Sequence, residues 1–517
     1  MTRSIQRVKV FRKQTAARGS VTVFASLTLL LVASFLLALL EAARVEGLES
    51  YADMNRVNAM ESVFSGYNRE LFKEYGVFLL DGGCGSGTLQ LSEIGGRLLE
   101  VSQKNLRPSA SGRVWKETQN FYQMDVRDAA VTHYLLATDY NGAPFRRMAA
   151  ESMKLQFPIE LARQVKDGFA AADRAMEQGA RSRAALADAE TDMEAARERQ
   201  AQEQADTSAP GPLTASGSEH VENPIEAVKK LKETDLLTLV LPEGSSVSAK
   251  AIAGADTLER RRLCQGNEPW RESGGWYETL CYQQFLKTHF SCYTSDEAGG
   301  GALDYELEYI HAGKSSDREN LKKVVQELLL LREGANFLYL QTDAAKKEEA
   351  YAAATALLAA TGLAAAAPAL AQGILAAWAF CESVVDVRTL LAGKKVPWMK
   401  TAESWSSSLS GLVTALTGGV QTGTQTEGED YGGYLQKLLY LKSERILNYR
   451  AMDLLEQQLR QREGYTHVRM DAMVLFLRAE FIYEAQPLFS AMVTLRKLET
   501  DRFAYKGVAQ YGYLSED

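Results

Sequence analysis

Residues Val21–Leu40 read VTVFASLTLLLVASFLLALL, and the reading of the whole chain turns on them. The stretch holds no charge, no proline and no glycine. At about 1.5 Å per residue it makes a helix about 30 Å long, the thickness of a bilayer's hydrocarbon core. Arg3, Arg7, Lys9, Arg12, Lys13 and Arg18 precede it with no acid among them, and Glu41, Arg44, Glu46 and Glu49 follow. That imbalance predicts a single-pass protein of the cell membrane, with residues 1–18 a cytoplasmic basic leader and the bulk of the chain extracytoplasmic.

A secretory signal has an apolar core of about 7–15 residues and then a small-x-small cleavage site. Here the run is longer, and Glu41-Ala42-Ala43-Arg44-Val45-Glu46 continues it with helix-favouring sequence. Leu48, Tyr51, Ala52, Val57, Met60, Val63, Phe64 and Tyr67 then recur at roughly helical spacing. A retained anchor follows, with one helix over 19–73 that is half in the membrane and half outside it.

The remainder is ordinary globular sequence, 46% hydrophobic and 24% charged, and at 517 residues it allows two to four domains. The net charge is −8, and the one basic cluster is the leader, which argues against a nucleic-acid partner. Cys84, Cys264, Cys281, Cys292 and Cys381 are odd in number and scattered, so they make no disulfide framework. A bridge within the 264/281/292 group and unpaired, partly buried thiols both fit. No CxxC or His-rich spacing supports a zinc site.

Along the chain, residues 74–144 read as a small α/β region. Glu74–Asp81 is a strand ending in a glycine turn, Leu89–Leu106 a helix and Val126–Asp139 a second strand. Residues 145–205, rich in Ala, Arg, Glu and Gln, predict a solvated helical arm, and 206–224 a Ser/Pro/Gly linker. Residues 225–462 form a helical domain. Within it Ser316 and Glu319 match a capping box, and the helix they open puts Leu321, Val324, Val325, Leu328 and Leu331 on one face. Residues 352–380 are uncharged and Ala-rich. Gly362, Pro368 and Gln372 interrupt them, so a buried helical pair packed through small side chains is expected, with a second membrane span as the alternative. Residues 406–433 read as a loop, and 463–517 as C-terminal strands and tail. His467–Ala485 supplies one or two strands able to return to the N-terminal pair.

Three motifs invite chemistry. Asp81-Gly82-Gly83-Cys84-Gly85-Ser86-Gly87 resembles the first motif of Rossmann-like methyltransferases, but no second strand ending in an acid and no alternating strand–helix series follows. A plain glycine turn is the reading. Gly313-Lys314-Ser315 resembles the end of a phosphate loop, yet Glu308 stands where that loop needs glycine, and a capped helix start explains it. Asp304–Glu308 lacks the spacing of a calcium loop and reads as a solvated strand or helix face. His133, His220, His289, His311 and His467 are far apart in sequence. The expectation is no catalytic, cofactor-binding or metal-ligating residue and no cofactor.

Arg18-Gly19 followed by Ser20 resembles the prepilin-type leader of TadE/TadG-like pilus-assembly proteins, cut after the glycine. This makes Gly19 and Ser20 a leader-processing site by resemblance. Phe24 stands where such leaders carry glutamate, and an uncut helix beginning with glycine is the other reading. RGSVTVF at 18–24, LLEAARVEGL at 39–48, YNRELFKEYGVFLLD at 67–81, LDYELEYIHAGKSSDRENL at 303–321 and LLAGKKVPWMK at 390–400 together resemble an uncharacterised family of bacterial membrane-anchored proteins. That family is related at its N-terminus to components of tight-adherence (Flp) pili. The resemblance implies a non-enzymatic surface component with pilin-like or secretion-system partners. The expected fold is α+β and mostly α-helical: a transmembrane helix, a small pilin-like sheet built from both ends of the chain and a large helical insertion. From other function classes, an anchored enzyme using the 81–87 loop and an extracytoplasmic ligand sensor or adhesin are the alternatives.

Overall fold

The computed structural model describes residues 15–106, 122–206, 224–232, 234–242, 244–252, 256–271, 274–295, 301–359, 366–411, 427–489 and 502–514. Leader residues 1–14, linker residues 207–223 with His220, and 412–426 of the expected loop lie outside the described residues.

Helix α1, Thr15–Phe64, is continuous over 50 residues. It stops short of the expected Lys73 because the Asn68 side chain accepts from the backbone N–H groups of Glu70 and Leu71, both at 3.1 Å, and opens a separate helix. That helix, α2 (Arg69–Tyr75), closes on Gly76 in the left-handed region, φ 66°. The strand expected over 74–81 contracts to β1, Leu80–Asp81. Val77 and Leu79 are instead buried as irregular chain. Helix α3 (Leu91–Leu106) and strand β2 (Met124–Leu136) lie close to where their periodicities put them.

Strand β3 (Met473–Ala485) is the centre of a four-stranded antiparallel sheet. Along one edge it pairs with β2, from Met124↔Ala485 to Leu136↔Val474. Its other edge takes β1 at Met473 and Val474, then β4 (Phe503–Gly512) from Phe476 to Ala485. The sheet is therefore built from both ends of the chain. Leu477, Ala479, Phe481, Tyr483 and Ala485 alternate onto the buried face of β3. On that face Leu48, Ala52, Ala59 and Phe64 of α1 and Ile94 and Leu98 of α3 complete a compact core. The opposite face is polar: Glu484 pairs with Arg127 at 2.7 Å and Arg502 at 2.8 Å, and Glu480 with Lys506 at 2.7 Å. The fold is α+β and mostly helical.

The inserted helices are α4 (Asp139–Met153), α5 (Ile159–Asp206), α6 (Pro224–Lys232), α7 (Leu236–Val240), α8 (Trp276–His289), α9 (Glu306–Ala312), α10 (Asp317–Thr342), α11 (Ala344–Leu358), α12 (Ala367–Leu391), α13 (Tyr431–Tyr440) and α14 (Glu444–Arg460). Residues 145–205 are not a solvated arm. Phe169, Ala172, Ala175, Ser182, Leu186 and Ala189 of α5 are buried where it packs along α10 and α12. Small residues make this approach close. A Cβ on Gly334 would lie 1.8 Å from the Ala175 carbonyl oxygen, one on Gly179 2.2 Å from that of Leu330, and one on Gly373 2.1 Å from the Ala189 Cβ. The expected boundary between arm and helical domain is thus an internal packing seam.

Helices α11 and α12 pack on each other, but the expected buried pair is half right: α12 is buried, whereas α11 buries only Ala350, Ala354 and Leu358 and is largely exposed. From Ile374 to Leu391 every residue of α12 is buried, including Glu382, Asp386 and Arg388. Pro368 sits in its first turn, where a missing N–H costs nothing. Gly362 lies outside the described residues. Among those residues α1 alone is long and apolar enough to cross a membrane.

Candidate membrane-facing site

The site begins in the first half of α1. From Val21 to Leu40 its large apolar side chains project outward, with Phe24 and Leu29 each 71% exposed. Its hydroxyls fold back onto the helix: Ser26 donates to the Val23 carbonyl at 2.9 Å, Thr28 to Phe24 at 2.8 Å and Ser34 to Leu31 at 2.8 Å. These three hydroxyls are satisfied within the helix, as its backbone groups are, the condition a hydrocarbon environment imposes. Gly19 and Ser20, the residues singled out for leader processing, lie within the helical backbone of α1 near its start.

The first charges after the apolar run attach the helix to the sheet. Glu41 and Arg44 are buried and paired at 2.7 Å. The Glu41 carboxylate also accepts the N–H groups of Leu488 at 3.1 Å and Phe489 at 2.6 Å, and Arg44 donates to the Tyr122 carbonyl. One segment held here follows β3 and the other precedes β2. Farther out, Asn55 donates to the Ser102 carbonyl at 3.1 Å and accepts from the Tyr483 hydroxyl at 3.0 Å. Burial pushes that hydroxyl up to about 12. The buried stripe Glu41, Arg44, Leu48, Ala52, Asn55, Ala59 and Val63 steps by three or four residues, so one face of α1 is committed to the sheet and the opposite face is exposed.

The glycine loop is closed upon itself. The Asp81 carboxylate accepts the N–H groups of Gly83 and Gly85, each at 2.9 Å, so these donors bind the loop's own aspartate. A Cβ on Gly87, φ 77°, would lie 2.2 Å from the His467 carbonyl oxygen, and one on Gly82 2.7 Å from that of Ala472. Those glycines admit the backbone leading into β3. Gly313, φ 65°, ends α9, and Ser316 caps α10 by accepting the Glu319 N–H at 3.4 Å. The Glu319 carboxylate meets the Ser315 hydroxyl at 3.4 Å, so the reciprocal half of the capping box is replaced.

Asp304–Glu308 is not a solvated face. Glu306 and Glu308 are buried and hold the preceding loop: Glu306 accepts the Ser291 N–H at 3.0 Å, and Glu308 accepts the Tyr293 N–H at 2.9 Å and the Tyr431 hydroxyl at 2.8 Å. Burial pushes the Glu308 carboxyl up to about 7, against these hydrogen bonds. On the same short helix, Tyr309 donates to Asp453 at 3.2 Å, whose carboxyl burial also pushes up to about 7. His311 pairs with Glu327 at 2.9 Å, and burial lowers its pKa from the usual imidazole value. His289 contacts Tyr75 and Phe285, while His133 lies on β2 and His467 beside Gly87. The four described histidines thus occupy separate surroundings. All five cysteines are free thiols. Among the described residues no group of three or more His, Cys, Asp or Glu side chains has metal-holding geometry.

Spacing gave no sign of the most buried charge network. Arg332 donates to Asp386 at 2.9 Å and to the Tyr434 hydroxyl at 2.9 Å. Lys400 meets Asp386 at 2.7 Å and Glu382 at 2.6 Å. These charges join α10, α12, α13 and the loop after α12 at the centre of the helical body. Removing one partner strands the others in a low-dielectric interior.

Residues 214–485 match the model of a family described as being of unknown function, DUF5702. The match covers more than half of the chain, and the chain belongs to that family. It takes in β3 but none of the three strands that pair with it. No curated protein and no solved structure matches the chain.

Proposed function

We propose that this DUF5702 protein is a non-enzymatic, single-pass membrane component. In this reading its N-terminus is cytoplasmic and its body is displayed outside the cell as a structural or assembly factor of a tight-adherence (Flp) type pilus or secretion system. The observation that carries the reading is α1: an uncharged run of 20 residues, Val21–Leu40, leaves nearly all of its large apolar side chains exposed, and the same unbroken helix is then fixed to a sheet by buried Glu41, Arg44 and Asn55. The basic leader supplies the orientation. The resemblance of RGSVTVF and the following stretches to TadE/TadG-like proteins supports the system. The self-closed loop at 81–87 supports a non-enzymatic reading over a methyltransferase-like one.

Single cysteines at Ser218 and Ser515, in a chain lacking the native five, test the topology in intact cells with a membrane-impermeant thiol reagent. Both are expected to label; protection of both overturns the orientation. Deleting Val21–Leu40 is expected to release the protein from the membrane fraction and abolish pilus-linked phenotypes. An intact phenotype overturns the assembly role.

A further inference from the structure

The helical body holds an ammonium group in a corner of two indole rings. Trp378 of α12 and Trp405 of the loop after α12 stand nearly at right angles, 83°, with ring centroids 5.9 Å apart. The Nζ of Lys346, in the first turn of α11, lies 4.6 Å from the Trp378 centroid and 5.2 Å from that of Trp405. Both walls are braced. The Trp378 indole donates to the Ser407 hydroxyl at 2.9 Å, and Tyr339 stacks with Trp405 at 5.2 Å. The Tyr339 hydroxyl donates to Asp343 at 3.0 Å, and Asp343 caps α11 by accepting the Lys346 N–H at 3.1 Å. That amide, with the Tyr339 hydroxyl and the Lys346 charge, holds the Asp343 carboxyl below its usual range, so an ionised acid stands beside the corner.

We infer that the Trp378–Trp405 corner, with Asp343 beside it, binds a quaternary ammonium group, and that Lys346 is the built-in occupant such a ligand displaces. Among the described residues the Lys346 ammonium makes no hydrogen bond or ion pair; ring faces and the field of Asp343 hold it. A primary ammonium brings three N–H donors, and this corner supplies them no acceptor. A trimethylammonium group has no donor to satisfy and loses less hydration, so ring faces and one nearby acid suit it better. The Trp405 indole N–H is buried with no acceptor among the described residues, so one wall also carries an unused donor. Lys437 shows the opposite arrangement. It too lies among rings, those of Trp398, Tyr434 and Phe169, but it is buried and paired with Glu429, a structural lysine. Lys346 is half-buried on a largely exposed helix and is free to swing outward.

The test titrates tetramethylammonium chloride into the full-length protein in maltoside detergent and follows tryptophan fluorescence, with ammonium chloride at equal concentration as reference. A saturable change with tetramethylammonium and with choline, absent with ammonium, is expected. Lys346→Ala should tighten it about tenfold by vacating the corner, the worth of one partly desolvated cation–π contact. Trp405→Leu should abolish it. Asp343→Asn keeps an oxygen for the α11 cap, removes the charge and should weaken binding severalfold; it decides the matter where Trp405→Leu does not fold. No saturable response from a folded Lys346→Ala chain, or a response that the Trp405 and Asp343 variants leave unchanged, overturns the inference. Repeating the titration in phosphatidylglycerol and phosphatidylcholine bilayers separates the sources of the group. Equal choline binding in both assigns a free solute, and a response already saturated in phosphatidylcholine assigns the lipid headgroup.

Discussion

Replacing Glu308 by glutamine should flatten a definite part of the protein's pH–stability profile. The carboxyl is fully buried beside Tyr293 and Tyr431, and burial raises its pKa from 4.5 to about 7. Between those values the native state keeps a proton that the unfolded chain has released. Stability is therefore fully present below about pH 4.5, falls as pH rises toward 7 and stays lowered above it. The gap of 2.5 pH units, at about 1.4 kcal/mol each, corresponds to roughly 3–4 kcal/mol in all. Glutamine keeps an oxygen to accept from the Tyr293 amide and the Tyr431 hydroxyl and carries no charge to desolvate. Urea unfolding of the full chain in detergent, followed at pH 5 and pH 8, gives the readout. Asp453 titrates in the same direction, so the parent profile holds both contributions, and subtracting the variant's profile isolates that of Glu308. The difference between parent and variant should shift by about 2–3 kcal/mol in the variant's favour from pH 5 to pH 8, the unfolded carboxyl being already largely ionised at the lower end. Profiles that stay parallel would refute the claim that Glu308 holds its proton in the folded protein.

Gly334→Leu should lower the thermal midpoint sharply, since its Cβ would fall 1.8 Å from the Ala175 oxygen; overpacking of this kind costs about 1–3 kcal/mol or more, and an unchanged midpoint would place α5 away from α10. Arg332→Ala should destabilise by about 3–5 kcal/mol by leaving Asp386 and Glu382 with Lys400 as their nearby cation, whereas Arg332→Met should cost less; chemical denaturation distinguishes the two. Asn68→Ala should cost about 1 kcal/mol in the same assay by uncapping α2. Gly87→Ala should destabilise by about 1–3 kcal/mol through its backbone conformation and the His467 oxygen, and the parent protein should give no calorimetric heat with S-adenosylmethionine; binding heat would contradict the closed loop.

The long apolar helix at the start of α1 was legible because 20 uncharged residues in one run admit few folded environments. The long strands β2 and β3 were legible through branched and aromatic residues, and the Ala-rich pair through its interruptions by glycine, proline and glutamine. The packing of α5 was not. Its buried face is built largely from Ala172, Ala175, Gly179, Ser182 and Ala189, whose small side chains bury little area each and look like a solvated helix in sequence. What buries them is backbone proximity, which depends on Gly334 and Leu330 in another helix. Asp304–Glu308 misled for the complementary reason. Its acids look solvent-bound until Ser291, Tyr293 and Tyr431, distant in sequence, arrive as donors. The Arg332–Asp386–Lys400 network likewise links positions that no local periodicity connects. At the candidate membrane-facing site, the apolar run could be read directly, but the burial of Glu41 could not, because its amide partners lie more than 400 residues away.

The central place of β3 also sets an order of events during synthesis. Strand β2 ends at Leu136 and its partner begins at Met473, 337 residues later. At about 5–20 residues per second, the ribosome needs roughly 20–70 s to cover that interval. For that time the edges of β1 and β2 have no native partner, while the helices between them can already collapse on one another. The sheet that grips α1 is therefore the last part of the protein able to close. A nascent chain halted before β3 would present open strand edges, the form most prone to pair with the wrong neighbour.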